Sequence, residues 1–334
     1  MRFVIYGAGA VGGVLGARLH QSGHDVMLIA RGAHHDAIAR DGLRFYTPDE
    51  RTVLRIPVAP DPAGAGISGD DVVILATKAQ DTWAALLALR AAAPAGGVPV
   101  VCMQNGVENE RVALRLFADV YGSVVMAPTL HIEPGLVLAY ATATTGTLDV
   151  GRYPSGVDER CVAICEAIER SRFGAVPRED IMRLKYAKLV LNVNNAVSAI
   201  CGTEGLPGAA ELSERVRTEA VAVLDAAGIP HQDDDVLAVR GRWESWGVRD
   251  IEGYPRGGGS TWQSLSRRAG AVETDFLNGE IVLEARRLGI PAPANELMQT
   301  LTAEMARDGR TPGWLTPSEV LGRLEQVSTR ARAR

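Results

Sequence analysis

The residues from Arg2 to Gly23, RFVIYGAGAVGGVLGARLHQSG, constrain this chain more than any other stretch. A run of aromatic and β-branched residues, Phe3-Val4-Ile5-Tyr6, stops at Gly7, and an apolar helical pattern begins within a few positions. Glycines stand at 7, 9 and 12 of that turn. In a strand–turn–helix the first glycine permits the tight turn and the second lets backbone come close to an anion. The third lets the helix pack against the strand. The start of the helix adds unpaired N–H groups and the positive end of its dipole. Gly7, Ala8, Gly9, Ala10, Val11 and Gly12 are therefore expected to cradle the pyrophosphate of a dinucleotide.

The rest of the first half repeats the alternation. Strands are expected at Arg2–Tyr6, Asp25–Ile29, Val72–Ala76, Val98–Cys102 and Ser123–Ala127, with helices between several of them, which means βαβ units and a mostly parallel sheet. Leu136–Tyr140 and Thr147–Val150 read as an antiparallel addition to that domain. A helix over Glu159–Ser171 and a strand near Ala175–Pro177 would complete it. From Asp180 the period is helical almost throughout, with helices expected at Ile181–Ile200, Ala209–Ala227, Asp234–Trp246, Val272–Leu288 and Asn295–Ala306. Thr316-Pro317-Ser318-Glu319 opens a last one with a capping box. Gly257-Gly258-Gly259 reads as flexible punctuation in a loop over Arg249–Gly259. The fold class is thus α/β: an N-terminal Rossmann-type dinucleotide-binding domain, 1–178, followed by an all-α domain, 179–334. Two such domains leave a cleft, where ligands commonly bind.

The end of the second strand reads Ala30-Arg31, where an NAD site would carry an acid for the ribose hydroxyls. Arg31 instead suits a 2′-phosphate, so NADP(H) is the expected cofactor. Thr77-Lys78 and Gln104-Asn105-Gly106 follow two further parallel strands, at the edge where open α/β sheets bind ligands. Lys78 and Asn105 there can donate to ribose, carboxamide or substrate oxygens.

The segment LKYAKLVLNVNNAVSAI, Leu184 to Ile200, is apolar around most of its circumference when wound as a helix. Lys185, Lys188, Asn192 and Asn195 share one narrow stripe, with Asn194 opposite in a separate local role. Four aligned polar residues on a buried helix point to a ligand-facing surface.

Composition excludes several classes. The net charge is −5 with both signs interspersed, and aromatics are only 5%. Neither a basic surface nor a stacking platform for nucleic acid is present. No run has the length of a membrane span, and the apolar N-terminus ends at glycines without a cleavage pattern. Cys102, Cys161, Cys165 and Cys201 lack metal-ligand spacing, and Cys161 and Cys165 read as two small residues on one helix face. A reducing cytoplasm and no metal are expected. No self-complementary stripe marks an assembly, and a homodimer stays open. His34-His35 reads as an exposed turn, and His131 as structural.

Together, Gly7-x-Gly9-x-x-Gly12, Thr77-Lys78, Gln104-Asn105-Gly106, Lys188 with Asn192, and STWQSLSRRAGAVETDFLNGEIVLEARRLGIPAPAN resemble the ketopantoate reductase (2-dehydropantoate 2-reductase) family along nearly the whole chain. The resemblance implies Lys188 as general acid, with Asn192 and Asn195 beside a 2-oxo acid. It implies Ser260 and Glu273 as substrate contacts, with Glu273 also serving catalysis and the cofactor, and Lys78 and Asn105 near the nicotinamide. Ser260 and Thr261 both offer a hydroxyl, because the spacing to Glu273 is one residue longer than in the family; Gln263 favours Ser260. The second asparagine follows Asn192 by three residues rather than four. The segment Val236–Gly259, with Trp243 and Trp246, is longer than usual, which leaves reduction of another branched 2-oxo acid open. A redox sensor that binds NADPH without catalysis is a third reading, opposed by Lys188 and Glu273.

Overall fold

A computed structural model describes residues 1–202, 205–231, 241, 247–266 and 272–332. They form two compact units. One holds Met1–Lys185 and the described part of Asp233–Arg256; the other holds Tyr186–Gln232 and Gly257–Arg334 as far as described. The expected helix Asp234–Trp246, with Trp243 and Trp246, lies outside the described residues except for position 241. No described helix is long and apolar enough to cross a membrane.

The α/β unit is built on a seven-stranded sheet. In chain order its elements are β1 (Arg2–Tyr6), α1 (Ala10–Gln21), β2 (Val26–Ile29), α2 (Gly32–Asp41), β3 (Leu43–Tyr46), β4 (Arg51–Leu54), β5 (Val58–Ala59), β6 (Asp71–Leu75), α3 (Thr82–Ala92), β7 (Val100–Cys102), α4 (Asn109–Leu114), β8 (Val120–Met126), β9 (Thr129–Leu130), β10 (Leu136–Ala139), β11 (Thr147–Arg152) and α5 (Glu159–Arg170). The large sheet has the order β11-β8-β7-β6-β1-β2-β5. Its pairs are parallel except β11 with β8. Side-chain alternation explains why both faces are covered. Phe3 and Ile5 pack with Val14, Leu15 and Leu19 of α1, whereas Val4 and Tyr6 pack with Ala85, Leu86 and Leu89 of α3. Each fully buried aliphatic side chain stabilises the fold by about 1.5–3 kcal/mol.

The α5 helix starts where Asp158 accepts from the Cys161 N–H at 2.8 Å, and Cys161 and Cys165 are both free thiols on its buried face. Of the antiparallel addition, β11 pairs antiparallel with β8 in the large sheet, and β10 pairs antiparallel with β9 outside it. Strand β10 belongs to a second, four-stranded sheet, β4-β3-β10-β9, where it runs parallel to β3. Strands of two to four residues (β3, β4, β5 and β9) were too short to stand out in the sequence. The run near Ala175–Pro177 makes only isolated bridges, Thr147 to Gly174 and Val150 to Pro177. Residues 248–256 pack against the small sheet: Ile251 and Tyr254 lie with Leu130, Leu136, Leu138 and Tyr140.

The second unit is helical. Its elements are α6 (Ile181–Asn192, begun in the first unit), α7 (Asn194–Cys201), α8 (Ala209–Ala226) and the helices Ser260–Ser266, Asn278–Leu288, Pro293–Asp308 and Pro317–Arg332. The last one has its capping box: the Thr316 N–H donates to Glu319 Oε2 at 2.7 Å, and the Glu319 N–H donates to Thr316 Oγ1 at 3.3 Å. The single helix expected over Ile181–Ile200 is two, stepping at Val193, whose carbonyl accepts from Asn278 Nδ2 at 3.1 Å. The segment Val272–Leu288 likewise opens with a 3-10 turn, Glu273–Phe276, before its helix.

Candidate active site

The strands β7, β6 and β1 are parallel neighbours, so the loops after them share one edge of the sheet. The chain passes from β1 to β2 on one side and returns to β6 on the other. That reversal point is where open α/β sheets hold ligands. Gly7 lies there with φ +106°, and a Cβ on it would stand 2.8 Å from the Ala76 carbonyl and the Thr77 nitrogen. A Cβ on Gly12 would lie 2.2 Å from the Gly7 carbonyl oxygen, so helix and turn touch backbone to backbone. Gly9 differs: a Cβ there would meet nothing within 4 Å. Space is open above the N-terminus of α1, which has no side-chain cap. The first-turn N–H groups have no partner inside the helix. These residues fit a diphosphate.

Arg31 follows β2 on the same edge, just before α2, and is 72% exposed, 3.5 Å from Asp81. An exposed guanidinium with one weak partner keeps most of its donors available for a phosphate.

Gln104 ties the other two loops together. It is buried, and its Nε2 donates to the Thr77 carbonyl (2.9 Å) and to Thr82 Oγ1 (2.8 Å). Thr82 in turn donates to Asn109, whose amide donates to the Asn105 carbonyl at 3.0 Å. Lys78 and Asn105 are thereby held, half-buried, on adjacent strand ends.

Lys185 does not belong to an open polar stripe. It is buried, 2.5 Å from Glu110 Oε1, and donates to the Gln104 carbonyl at 3.0 Å. Burial pushes the Glu110 carboxyl up, and the Lys185 ammonium pulls it down. With its charge balanced by Glu110, Lys185 is one half of a buried structural ion pair.

The remaining candidates lie in the helical unit. Lys188 and Asn192 on α6 and Asn195 on α7 are half-buried, while Leu189, Val190, Val193 and Ala196 are buried. A Cβ on Gly259 would stand 2.7 Å from Asn195 Oδ1. The preceding glycines lie flush against Trp262: a Cβ on Gly258 would come within 2.6 Å of its indole. Gly257–Gly259 is thus a close-packed platform, not flexible punctuation. It delivers Ser260 beside Asn195. The hydroxyls of Ser260 and Thr261 are both buried without a hydrogen-bond partner among the described residues, but Thr261 is only 1% exposed and Ser260 half-buried.

Glu273 is buried at the start of its 3-10 turn. A polar knot steadies the step between Asn192 and Asn195. Asn278 donates to Asn295, Asn295 donates to Glu219, and Glu219 accepts the N–H groups of Ala294 and Asn295.

The description Ketopantoate reductase PanE/ApbA matches residues 3–155, and that family's C-terminal region matches residues 180–306. The chain belongs to the ketopantoate reductase family. Ketopantoate reductases are oxidoreductases, and the α/β half followed by a helical half is their architecture. The 2-dehydropantoate 2-reductase of Pyrococcus horikoshii is 28% identical over 303 residues, covering 90% of this chain and 96% of that one. A ketopantoate reductase of this family from Ralstonia eutropha shares the fold at a TM-score of 0.77, with 32% identity, 92% of this chain and 99% of that one covered. The ternary structure of D-mandelate dehydrogenase with NADH and anilino(oxo)acetate superimposes at 0.78 with 21% identity, over 92% of this chain and 99% of that one, which establishes likeness of fold alone.

Three residues that brace these loops have roles the sequence did not mark: Glu110, Gln104 as a bridge between loops, and His34. His34 is on α2, half-buried, rather than on an exposed turn, and its ring lies 4.2 Å from that of His131. Only Gln104 had a positional signal, next to Asn105 at a strand end.

Proposed function

We propose that this chain reduces 2-dehydropantoate to pantoate with NADPH, a step toward pantothenate and coenzyme A, and that Lys188 donates the proton. The observation that carries the reading is the reach of the family match. Gly7–Gly12, Lys78 and Asn105 fall in its N-terminal part; Lys188, Asn192, Asn195, Ser260 and Glu273 fall in its C-terminal part. Nucleotide binding is assigned to residues 1–178 and substrate chemistry to 179–334. Arg31, exposed at the strand end where an acid would serve NAD, supports NADP(H).

NADPH, when bound at the glycine loop, supplies the hydride. The carbonyl oxygen of a 2-oxo acid gains negative charge as it is reduced. A cationic donor aimed at that oxygen stabilises the transition state more than the ground state. Lys188 has that chemistry: its ammonium donates a hydrogen bond to the developing alkoxide and then the proton. Asn192, Asn195 and Ser260 offer neutral donors and acceptors for the carboxylate and hydroxyl oxygens. Glu273 holds Lys188 or a substrate hydroxyl, and Lys78 and Asn105 donate to oxygens of substrate or cofactor.

The test is a turnover assay with purified protein, NADPH and 2-dehydropantoate, followed by loss of the reduced-nicotinamide absorbance. Steady oxidation supports the reading. Activity only on another member of a 2-oxo acid panel moves the substrate, and NADPH binding without oxidation by any of them leaves a sensor.

A further inference from the structure

The His34 imidazole is engaged at both nitrogens. The Gly135 N–H donates to Nδ1 at 2.9 Å, so Nδ1 carries the lone pair. The proton is then on Nε2, which donates to the Ala8 carbonyl at 2.7 Å. Only the neutral Nε2–H tautomer satisfies both bonds. Ala8 lies inside the glycine loop, and its own N–H is anchored to the Ile29 carbonyl at 3.1 Å. Because a trans peptide is planar, holding the Ala8 carbonyl toward His34 turns the Gly9 N–H to the opposite side. The imidazole therefore sets the orientation of a peptide at the open point of the nucleotide cradle.

We propose that His34 is a positioning residue for the nucleotide loop, clamping it to the Gly135 turn in its neutral form and releasing it when protonated at Nδ1. The inference rests on the reading of Gly7–Gly12 as an NADP(H) site. Protonation would set an Nδ1–H against the Gly135 N–H, two donors facing each other.

Other titratable and charged groups stand around the imidazole. The facing His131 ring has its Nδ1 on the Leu136 carbonyl at 3.0 Å. Glu133, in the turn before Gly135, is held by Arg44 at 3.0 Å. On α2 itself, His35 pairs with Asp36, and Arg31 just before the helix pairs with Asp81. Burial lowers the His34 pKa, and the bond to Ala8 opposes that only in part. A folded-state pKa below the ordinary value of about 6.5 gives the sign: the clamp is intact above that pH and is lost as pH falls through the lower folded value.

The experiment is NADPH titration, by nicotinamide fluorescence, of wild type, His34→Ala and His34→Gln from about pH 8 down to about pH 5.5. Wild type should bind more weakly toward the acid end, by roughly 5- to 10-fold. His34→Ala should be weaker by a similar factor at neutral pH and lose the acid-side fall. His34→Gln, whose amide can still donate to Ala8, should recover affinity at neutral pH but also lose the fall. Nitrogen NMR of the cofactor-free wild type should report an Nε2–H tautomer for His34. Equal NADPH affinity with parallel pH curves in all three proteins overturns the inference, as does a neutral-pH ring protonated at Nδ1. Wild type that binds no NADPH at any pH overturns the nucleotide reading instead.

Discussion

Asn195 and Gly259 touch so closely that a single methyl group would not fit: a Cβ on Gly259 would stand 2.7 Å from Asn195 Oδ1. Gly259→Ala should therefore displace the asparagine, and Ser260 next to it. Displacement of a positioning group by about 1 Å can cost up to about 100-fold in rate. The expected outcome is a KM for the 2-oxo acid raised about 10-fold or more with NADPH affinity unchanged. Steady-state kinetics beside an NADPH titration checks it; an unchanged KM removes Asn195 from the substrate contacts.

Lys185 and Glu110 form a buried pair, so removing one partner strands the other. Lys185→Met should destabilise the protein by about 3–5 kcal/mol, and Lys185→Met with Glu110→Leu should recover most of that loss. The pH dependence has a definite sign. Without the ammonium, the Glu110 carboxyl is raised further above its ordinary value of about 4.3, so the single variant is least impaired below that pH and worsens as pH rises through the folded value. Denaturant unfolding at several pH values measures both effects.

Arg31→Ala should weaken NADPH by about 10-fold or more, the worth of a hydrogen bond to a charged group, and leave NADH almost unaffected. Binding titrations with the two cofactors decide it. Equal losses would mean that the guanidinium serves the strand end rather than a 2′-phosphate.

The order of elements was legible because its signals are local. The glycine turn, the strand at Arg2–Tyr6 and the capping box at Thr316 each need only neighbouring residues, and each stands where the sequence puts it. What escaped depends on partners far along the chain. Lys185 read as a member of a ligand-facing stripe because Glu110 lies 75 residues earlier. His34 read as exposed because its partners are Ala8 and Gly135, 26 and 101 residues away. Gly257–Gly259 looked flexible by composition, but it is packed against Trp262 and Asn195. Helical period alone also gave no warning of the step at Val193, which accompanies a bond from Asn278. The polarity of Lys188, Asn192 and Asn195 was visible in helix geometry; which polar residues were already satisfied was not.

The central claim is that Lys188 supplies the proton. Its most direct test is kcat for 2-dehydropantoate reduction by Lys188→Ala at saturating NADPH, with cofactor affinity measured in parallel. A fall in kcat of about 100-fold or more with NADPH binding retained is the predicted result. A kcat equal to that of the wild type would contradict the account.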